Sequence, residues 1–198
     1  GLFLSSGSSN NHISNTTVSL MTAHGISLAT VSNNNTFTTI NSGTILDLND
    51  AGISVSSHNN RFTDIIVNSN GDGIILSSAT NNTFTNLTSN FNDDGITFES
   101  GSNNNTFTNF TVAFSNNRAI NLRGNNNTFK DFTLNNNTLA GVEVTISAFQ
   151  NKFINGLINN TIRDDAIDLS GGASTQHNLF YNVSISNTNV SFFDIKIK

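Results

Sequence analysis

Apolar residues recur along this chain in short segments of alternating inward and outward character, separated by polar stretches rich in asparagine. One column of them reads Ile13, Phe37, Phe62, Phe84, Phe107, Phe129, Phe153 and Phe180, at spacings of 22 to 27 residues. A second follows within each repeat and reads small residue, apolar, any, apolar: Gly25-Ile26-Ser27-Leu28, Gly52-Ile53-Ser54-Val55, Gly73-Ile74-Ile75-Leu76, Gly95-Ile96-Thr97-Phe98, Ala119-Ile120-Asn121-Leu122, Gly141-Val142-Glu143-Val144 and Ala166-Ile167-Asp168-Leu169. Gly1-Leu2-Phe3-Leu4 has the same form. Apolar residues two apart place alternate side chains on one face of a strand, and no 3.6-residue period supports a helix. Each strand is too short to bury its face alone, so the repeats must stack, one per coil, each strand pairing in parallel with its copy in the next. The pattern predicts an all-β parallel solenoid of about eight coils with a period near 23, forming a single domain over 1–198 with no evident caps.

The residue two before the Phe column is Asn in every copy: Asn11, Asn35, Asn60, Asn82, Asn105, Asn127, Asn151 and Asn178. Asn accepts left-handed backbone geometry, and its amide can bond the identical amide in the coils above and below, so the column reads as a structural ladder at a turn. Two residues after the Phe, Asn86, Asn109, Asn155 and Asn182 with Asp64 and Asp131 read as another turn. The Gly or Ala before each Ile marks a corner where a larger side chain would collide or where φ must be positive.

The recurring Asn-Asn-Thr-Phe-Thr-Asn, as in residues 81–86 and 104–109, together with Gly-Ile-x-Leu resembles the repeats of the NosD-like and CASH (carbohydrate-binding and sugar hydrolase) group. The Asn-rich form is similar to repeats of archaeal, methanogen-type cell-surface proteins. This resemblance implies a right-handed parallel β-helix over essentially the whole chain. For function it implies a wide choice, since the group includes lyases, hydrolases, epimerases, periplasmic accessory proteins and surface-layer components.

Composition narrows that choice. The 198 residues include 38 asparagines and 49 serines and threonines but no Cys, Pro or Trp, and only 11% are charged, for a net charge of −5. The missing basic surface excludes a nucleic-acid partner, and no apolar run reaches the roughly 18 residues of a membrane span. Without Cys there are no disulfides and no thiolate metal sites. The four histidines, His12, His24, His58 and His177, fall in different phases of the repeat and form no ligand set, so no cofactor is expected. Arg61, Arg118, Arg123, Lys130, Lys152 and Arg163 read as isolated.

Chemistry on a solenoid needs polar residues in the same phase of adjacent coils. Glu143 and Asp168 share the outward position of the Gly-Ile-x-Leu strand in successive coils, roughly 5 Å apart, which makes them the best candidates for acid–base work. Side by side on a flat strand, however, they do not flank a sugar as a retaining glycosidase requires. Asp72 and Asp94 each precede the corner glycine and form the candidate calcium pair; as Asp-Gly they are equally turn residues. Paired Thr around Phe37, Phe84 and Phe107 form an outward array of the kind seen on ice-binding solenoids, interrupted by Arg61, Lys130 and Lys152. Sequons at Asn15, Asn34, Asn81, Asn86, Asn104, Asn109, Asn126, Asn136, Asn159, Asn182 and Asn189 offer N-glycosylation sites, in a number that composition alone accounts for.

Both ends carry core-type strands, with Leu2, Phe3 and Leu4 at one and Phe192, Phe193, Ile195 and Ile197 at the other. Such ends can stack head to tail, a heterologous contact that does not close. The expectation is therefore a structural, non-enzymatic extracellular or cell-surface protein that self-associates into a filament, sheath or layer. The alternatives are a carbohydrate-binding or carbohydrate-active domain with glycan partners, and an adhesin or spacer segment of a larger surface protein.

Overall fold

A computed structural model describes residues 1–43, 50–145, 148–169 and 177–186, with the backbone of 195–197. The described residues contain strands and no helix. The short strands are β1 (Leu2–Leu4), β3 (Ile26–Leu28), β5 (Ile53–Val55), β7 (Asp72–Leu76), β9 (Asp94–Phe98), β11 (Ile120–Leu122), β13 (Val142–Val144), β15 (Ile167–Leu169) and β17 (Ile195–Ile197). They pair in that order in one sheet. The longer strands β2 (His12–Val18), β4 (Thr36–Ser42), β6 (Arg61–Asn68), β8 (Thr83–Asn90), β10 (Thr106–Ala113), β12 (Thr128–Asn135), β14 (Lys152–Asn159) and β16 (Leu179–Ser186) form the second. Every pairing is parallel, and the register aligns the repeat columns, as in Phe84↔Phe107↔Phe129 and Ile74↔Ile96↔Ile120. The chain is thus a parallel β-solenoid, of about seven turns with a period near 24. The eight repeat copies correspond to seven turns because eight stacked strands bound seven intervals.

The two sheets enclose one apolar core. Phe37, Phe62, Phe84, Phe107, Phe129 and Phe153 are fully buried. Their rings stack along the axis at 4.4–4.8 Å, widening to 5.8 Å between Phe107 and Phe129, where Phe98 wedges edge-on against both. Burying a side chain of this kind contributes about 1.5–3 kcal/mol.

The asparagine column is a ladder, with one correction of geometry. The Oδ1 accepts from the backbone N–H of the ladder Asn one coil earlier, and in all but the Asn127–Asn151 step from its Nδ2 as well: Asn82 to Asn105 at 2.9 and 3.1 Å, and Asn105 to Asn127 at 2.9 and 3.1 Å, whereas Asn127 reaches Asn151 by its N–H alone at 2.8 Å. The second Nδ2 hydrogen goes to a carbonyl, as from Asn105 to Ala79 at 2.9 Å. The left-handed residue is not the ladder Asn but the one before it, with φ of 56–61° at Asn10, Asn34, Asn59, Asn81, Asn104, Asn126, Gln150 and His177. The expected second turn is confirmed: φ is 51–57° at Asn15, Thr39, Asp64, Asn86, Asn109, Asp131, Asn155 and Asn182, bending every long strand midway. A second buried ladder, unforeseen in the sequence, runs through Asn70, Asn92, Ser115 and Asn137. Asn92 Oδ1 accepts from Asn70 N–H and Nδ2 at 2.9 and 3.0 Å, and Asn137 Oδ1 from Ser115 N–H at 3.0 Å.

The corner glycines are there for space, because φ at Gly95 is not positive and a Cβ would overlap Val112 Cγ1. Gly156 serves a different purpose. It pairs with Phe132 across β12 and β14, and a Cβ would fall within the Phe132 ring, so the large residue of one coil fills the space left by the small residue of the next. Gly156→Ala is expected to lose about 1–3 kcal/mol by overpacking in urea titration, and Phe132→Leu in the same chain should recover part of it.

Candidate functional site

On the face of the first sheet directed away from the core lie Phe3, Ser27, Ser54, Ile75, Thr97, Asn121, Glu143 and Asp168, one residue per coil in register. Its character changes along the axis from small and apolar to hydrogen-bonding and acidic. Beside it runs the corner row that precedes each small residue: Asp72, Asp94, Arg118, then Asp165 after Ala140. Glu143 and Asp168 are register partners, as expected, and so are Asp72 and Asp94.

Arg118 joins the two candidate pairs, which corrects its reading as an isolated base. Its Nε donates to Glu143 Oε2, and its Nη1 lies 3.5 Å from Asp94 Oδ2. Its backbone N–H donates to Asp94 Oδ1 at 2.9 Å, and Asn121 Nδ2 donates to Asp94 Oδ2 at 3.2 Å. The guanidinium therefore crosses the outward face of β11, from the coil of β9 to that of β13, beside the Asn121 amide. Burial works against the Arg118 charge, but Glu143 and Asp94 outweigh it and hold the pKa above its ordinary value. Asp94, Asn121 and Asp168 are 7%, 8% and 9% exposed, so these polar groups are held in place rather than left in solvent.

Burial pushes the half-buried Asp72 carboxyl up to about 6, and the carboxylates of Asp94 and Asp93 add to the rise. Between about pH 4 and 6 the folded protein then holds a proton that the unfolded chain releases, so this group's contribution to stability falls as pH rises through that window. Asp72→Asn is expected to stabilise the fold at pH 7.5 by about 1–3 kcal/mol and to have little effect at pH 4, read as Tm at the two pH values.

Among the described residues no group of three or more His, Asp or Glu could hold a metal ion. His24 Nδ1 accepts from Ala51 N–H at 2.9 Å and lies 3.2 Å from Asp50 Oδ1, while His58 Nδ1 meets Thr80, so these two do not converge. On the second sheet the threonine array is in register, Thr83↔Thr106↔Thr128 and Thr63↔Thr85↔Thr108, bounded by Arg61, Lys130 and Lys152. At the corner between the sheets, Phe91 and Phe114 stack at 4.9 Å while remaining 58% and 45% exposed, with φ of 57° and 58°. This pair was not foreseen; its signal was an apolar residue directly after the long strand in two successive coils.

The sequons separate into classes. Asn34, Asn81, Asn104 and Asn126 are exposed at the turn before the ladder. Asn15, Asn86, Asn109 and Asn182 are exposed at the strand bend, where Asn109 donates to Asn86 at 2.7 Å and Asn182 to Asn155 at 3.0 Å. Asn136 and Asn159 are half-buried. Asn189, Phe192 and Phe193 lie outside the described residues, and only the backbone of Ile195 and Ile197 lies within them. Leu4 is buried, Leu2 packs on the core, and Phe3 is 64% exposed.

No protein-family model and no curated protein matches the chain. Solved structures do. The fold is similar to the crystal structure of the periplasmic alginate epimerase AlgG, with a TM-score of 0.53 and 13% identity over 85% of this chain. The chain spans about half the length of that structure. Two point variants of the same epimerase superpose with TM-scores of 0.49 and 0.38. At this identity the likeness shows a shared β-helix fold. No helix among the described residues is long and apolar enough to cross a membrane.

Proposed function

We propose that this chain is an exported β-helix that binds carbohydrate along the strip from Asp72 to Asp168. The observation that carries the reading is the set Asp94, Arg118, Asn121 and Glu143, cross-linked across the strands and corners of three successive coils. Sugar recognition needs fixed donors and acceptors at repeated spacing, and hydrogen-bonded side chains on strands supply them with little ordering entropy left to lose. The exposed Phe91–Phe114 pair, three and four residues before Asp94 and Arg118, adds an aromatic surface beside the polar one. The fold's likeness to a periplasmic alginate epimerase and the resemblance of the repeats to the NosD-like and CASH group support a carbohydrate-related, exported role.

The reading is binding rather than turnover. Arg118 keeps Asp94 and Glu143 occupied as ion-pair partners, and Glu143 and Asp168 lie side by side on neighbouring strands instead of facing each other across a cleft. A glycan array probed with the purified protein tests it. Retention of a defined glycan class by the wild type, lost in Asp94→Asn/Glu143→Gln with the fold intact by circular dichroism, is the expected result. A blank array at micromolar protein contradicts it.

A structural role, as a filament, sheath or layer subunit or a stiff spacer, is favoured by one observation: the Phe and Asn columns repeat without interruption through the described coils, which makes a rod. End-to-end stacking would then use Leu2, Phe3 and Leu4 against Phe192, Phe193, Ile195 and Ile197. Negative-stain microscopy that shows filaments longer than a single solenoid supports this role, and dispersed particles at high concentration remove it.

A further inference from the structure

Phe91 and Phe114 sit outside the core in a backbone conformation that suits neither. They are the residues that directly follow β8 and β10, and each is left-handed, with φ of 57° and 58°. A bulky side chain is disfavoured there. In the flanking coils the residue after the long strand is short and polar, Ser69, Asn136 or Asn160, at φ of 60°, 53° and 57°. Both rings are also exposed, 58% at Phe91 and 45% at Phe114. A strained, exposed aromatic pair that the apolar core does not include points to a ligand rather than to folding.

The rings are parallel within 6° and their centroids lie 4.9 Å apart, so each turns one face to the other across adjacent coils. The opposite face of Phe114 is directed at the coil of Asn136, and that of Phe91 at the coil of Ser69. Ser69 is short and itself exposed, which leaves the next place in the stack open at the coil spacing of roughly 4.8 Å. The greater exposure of Phe91 agrees with an open face at that end. Two residues after each Phe, on the side of the Asp94–Arg118 corner, Asn116 Nδ2 donates to Asp93 Oδ1 at 2.9 Å at the surface.

Size and position select the occupant. A phenylalanine side chain covers roughly 150–250 Å², and about half of each is exposed, so the pair offers about 200 Å². A stable protein interface takes about 800 Å² from each partner, far more than the pair supplies, whereas a single six-membered ring matches it. Phe91 and Asp94 are three residues apart, at most about 11 Å along the chain, a distance that a short oligosaccharide spans.

We propose that Phe91, backed by Phe114, is the stacking residue of the carbohydrate site, and that it selects β-linked glucopyranosides. This rests on the carbohydrate-binding reading and names the class of sugar. One pyranose takes the open place over Ser69 with its C–H face on Phe91, and Asp93 and Asn116 meet its hydroxyls at the rim. The substituents of a β-linked glucopyranoside are all equatorial, so only C–H groups cover the faces of its ring. An axial glycosidic oxygen would be pressed toward the phenyl ring without a hydrogen-bond partner.

Isothermal titration with cellohexaose and maltohexaose tests this, since the two hexamers differ only in an equatorial against an axial linkage. Cellohexaose is expected to bind at least about tenfold more tightly. Phe91→Ala should weaken it about tenfold, and Phe91→Tyr should keep it within about twofold of the wild type. Ser69→Phe, which fills the open place, should abolish binding. These positions are exposed, and circular dichroism verifies that each variant is folded. Cellohexaose affinity unchanged in Phe91→Ala and Ser69→Phe, or maltohexaose bound equally well, overturns the assignment and leaves the carbohydrate reading standing. The same holds if neither hexamer binds while another glycan is retained on the array; a blank array removes both readings. A dimer in sedimentation that Phe91→Ala disperses assigns the pair to self-association and overturns the stacking role as well.

Discussion

Asn105→Ala is expected to destabilise the protein by about 3–6 kcal/mol, more than any exposed asparagine substitution, although it removes no apolar contact. Asn105 Oδ1 receives two donors, the backbone N–H and the Nδ2 of Asn82, and its own Nδ2 serves Ala79 O and Asn127 Oδ1. All of these groups are buried, so alanine strands two donors on one side and a carbonyl on the other, at about 1–3 kcal/mol each. Asp at the same position keeps the acceptor and loses the donors, so it should lie between wild type and alanine at neutral pH. Asn104→Ala, at the exposed neighbouring turn with φ of 58°, tests the left-handed geometry alone and should lose only about 1 kcal/mol. Equilibrium urea titration of the three variants orders them, and equal losses at 104 and 105 would remove the ladder as the source of stability.

Phe107→Ala carries the second large effect. The ring is fully buried between Phe84 at 4.4 Å and Phe129 at 5.8 Å, with Phe98 edge-on at 5.5 Å. Truncation is expected to lose about 3–5 kcal/mol as transfer and cavity terms combine. In a stacked solenoid each coil touches only its neighbours, so the loss falls on two interfaces rather than being spread through the molecule. The unfolding transition should therefore broaden or divide in two, and Phe37→Ala, in a peripheral coil, should leave it closer to a single step. Circular dichroism and fluorescence of an introduced probe, followed in the same titration, separate these outcomes.

Most of the architecture was legible because parallel, in-register stacking demands the same residue type in the same phase of every coil. The Phe column, the Gly-Ile-x-Leu strands and the bend at Asn86 and Asn109 announce themselves for this reason. Where the repeat breaks, the sequence says less. Arg118 stands alone in its column because Asp72 and Asp94 precede it there and Ala140 follows, so only the three-dimensional path across β11 brings it between Asp94 and Glu143. Doublets such as Asn104-Asn105 hid which residue is left-handed and which is the ladder rung, since both are Asn. The inner ladder of Asn70, Asn92 and Asn137 was obscured by Ser115 in its column. The match of Phe132 with Gly156 is a volume relation between coils and leaves no trace in either segment alone. On function the same logic applies: a rod accounts for the repeated columns, and the strip from Asp72 to Asp168 is what remains where repetition gives way to convergent polar side chains.

Nuclear magnetic resonance shift mapping during titration with a glycan that the array retains tests the carbohydrate-binding strip most directly. Perturbations are expected along the strip from Asp72 to Asp168, largest at Asp94, Arg118, Asn121 and Glu143, with Thr85 and Thr108 on the other sheet unmoved. Absence of any shift at millimolar ligand, or shifts centred on the threonine face, would contradict it.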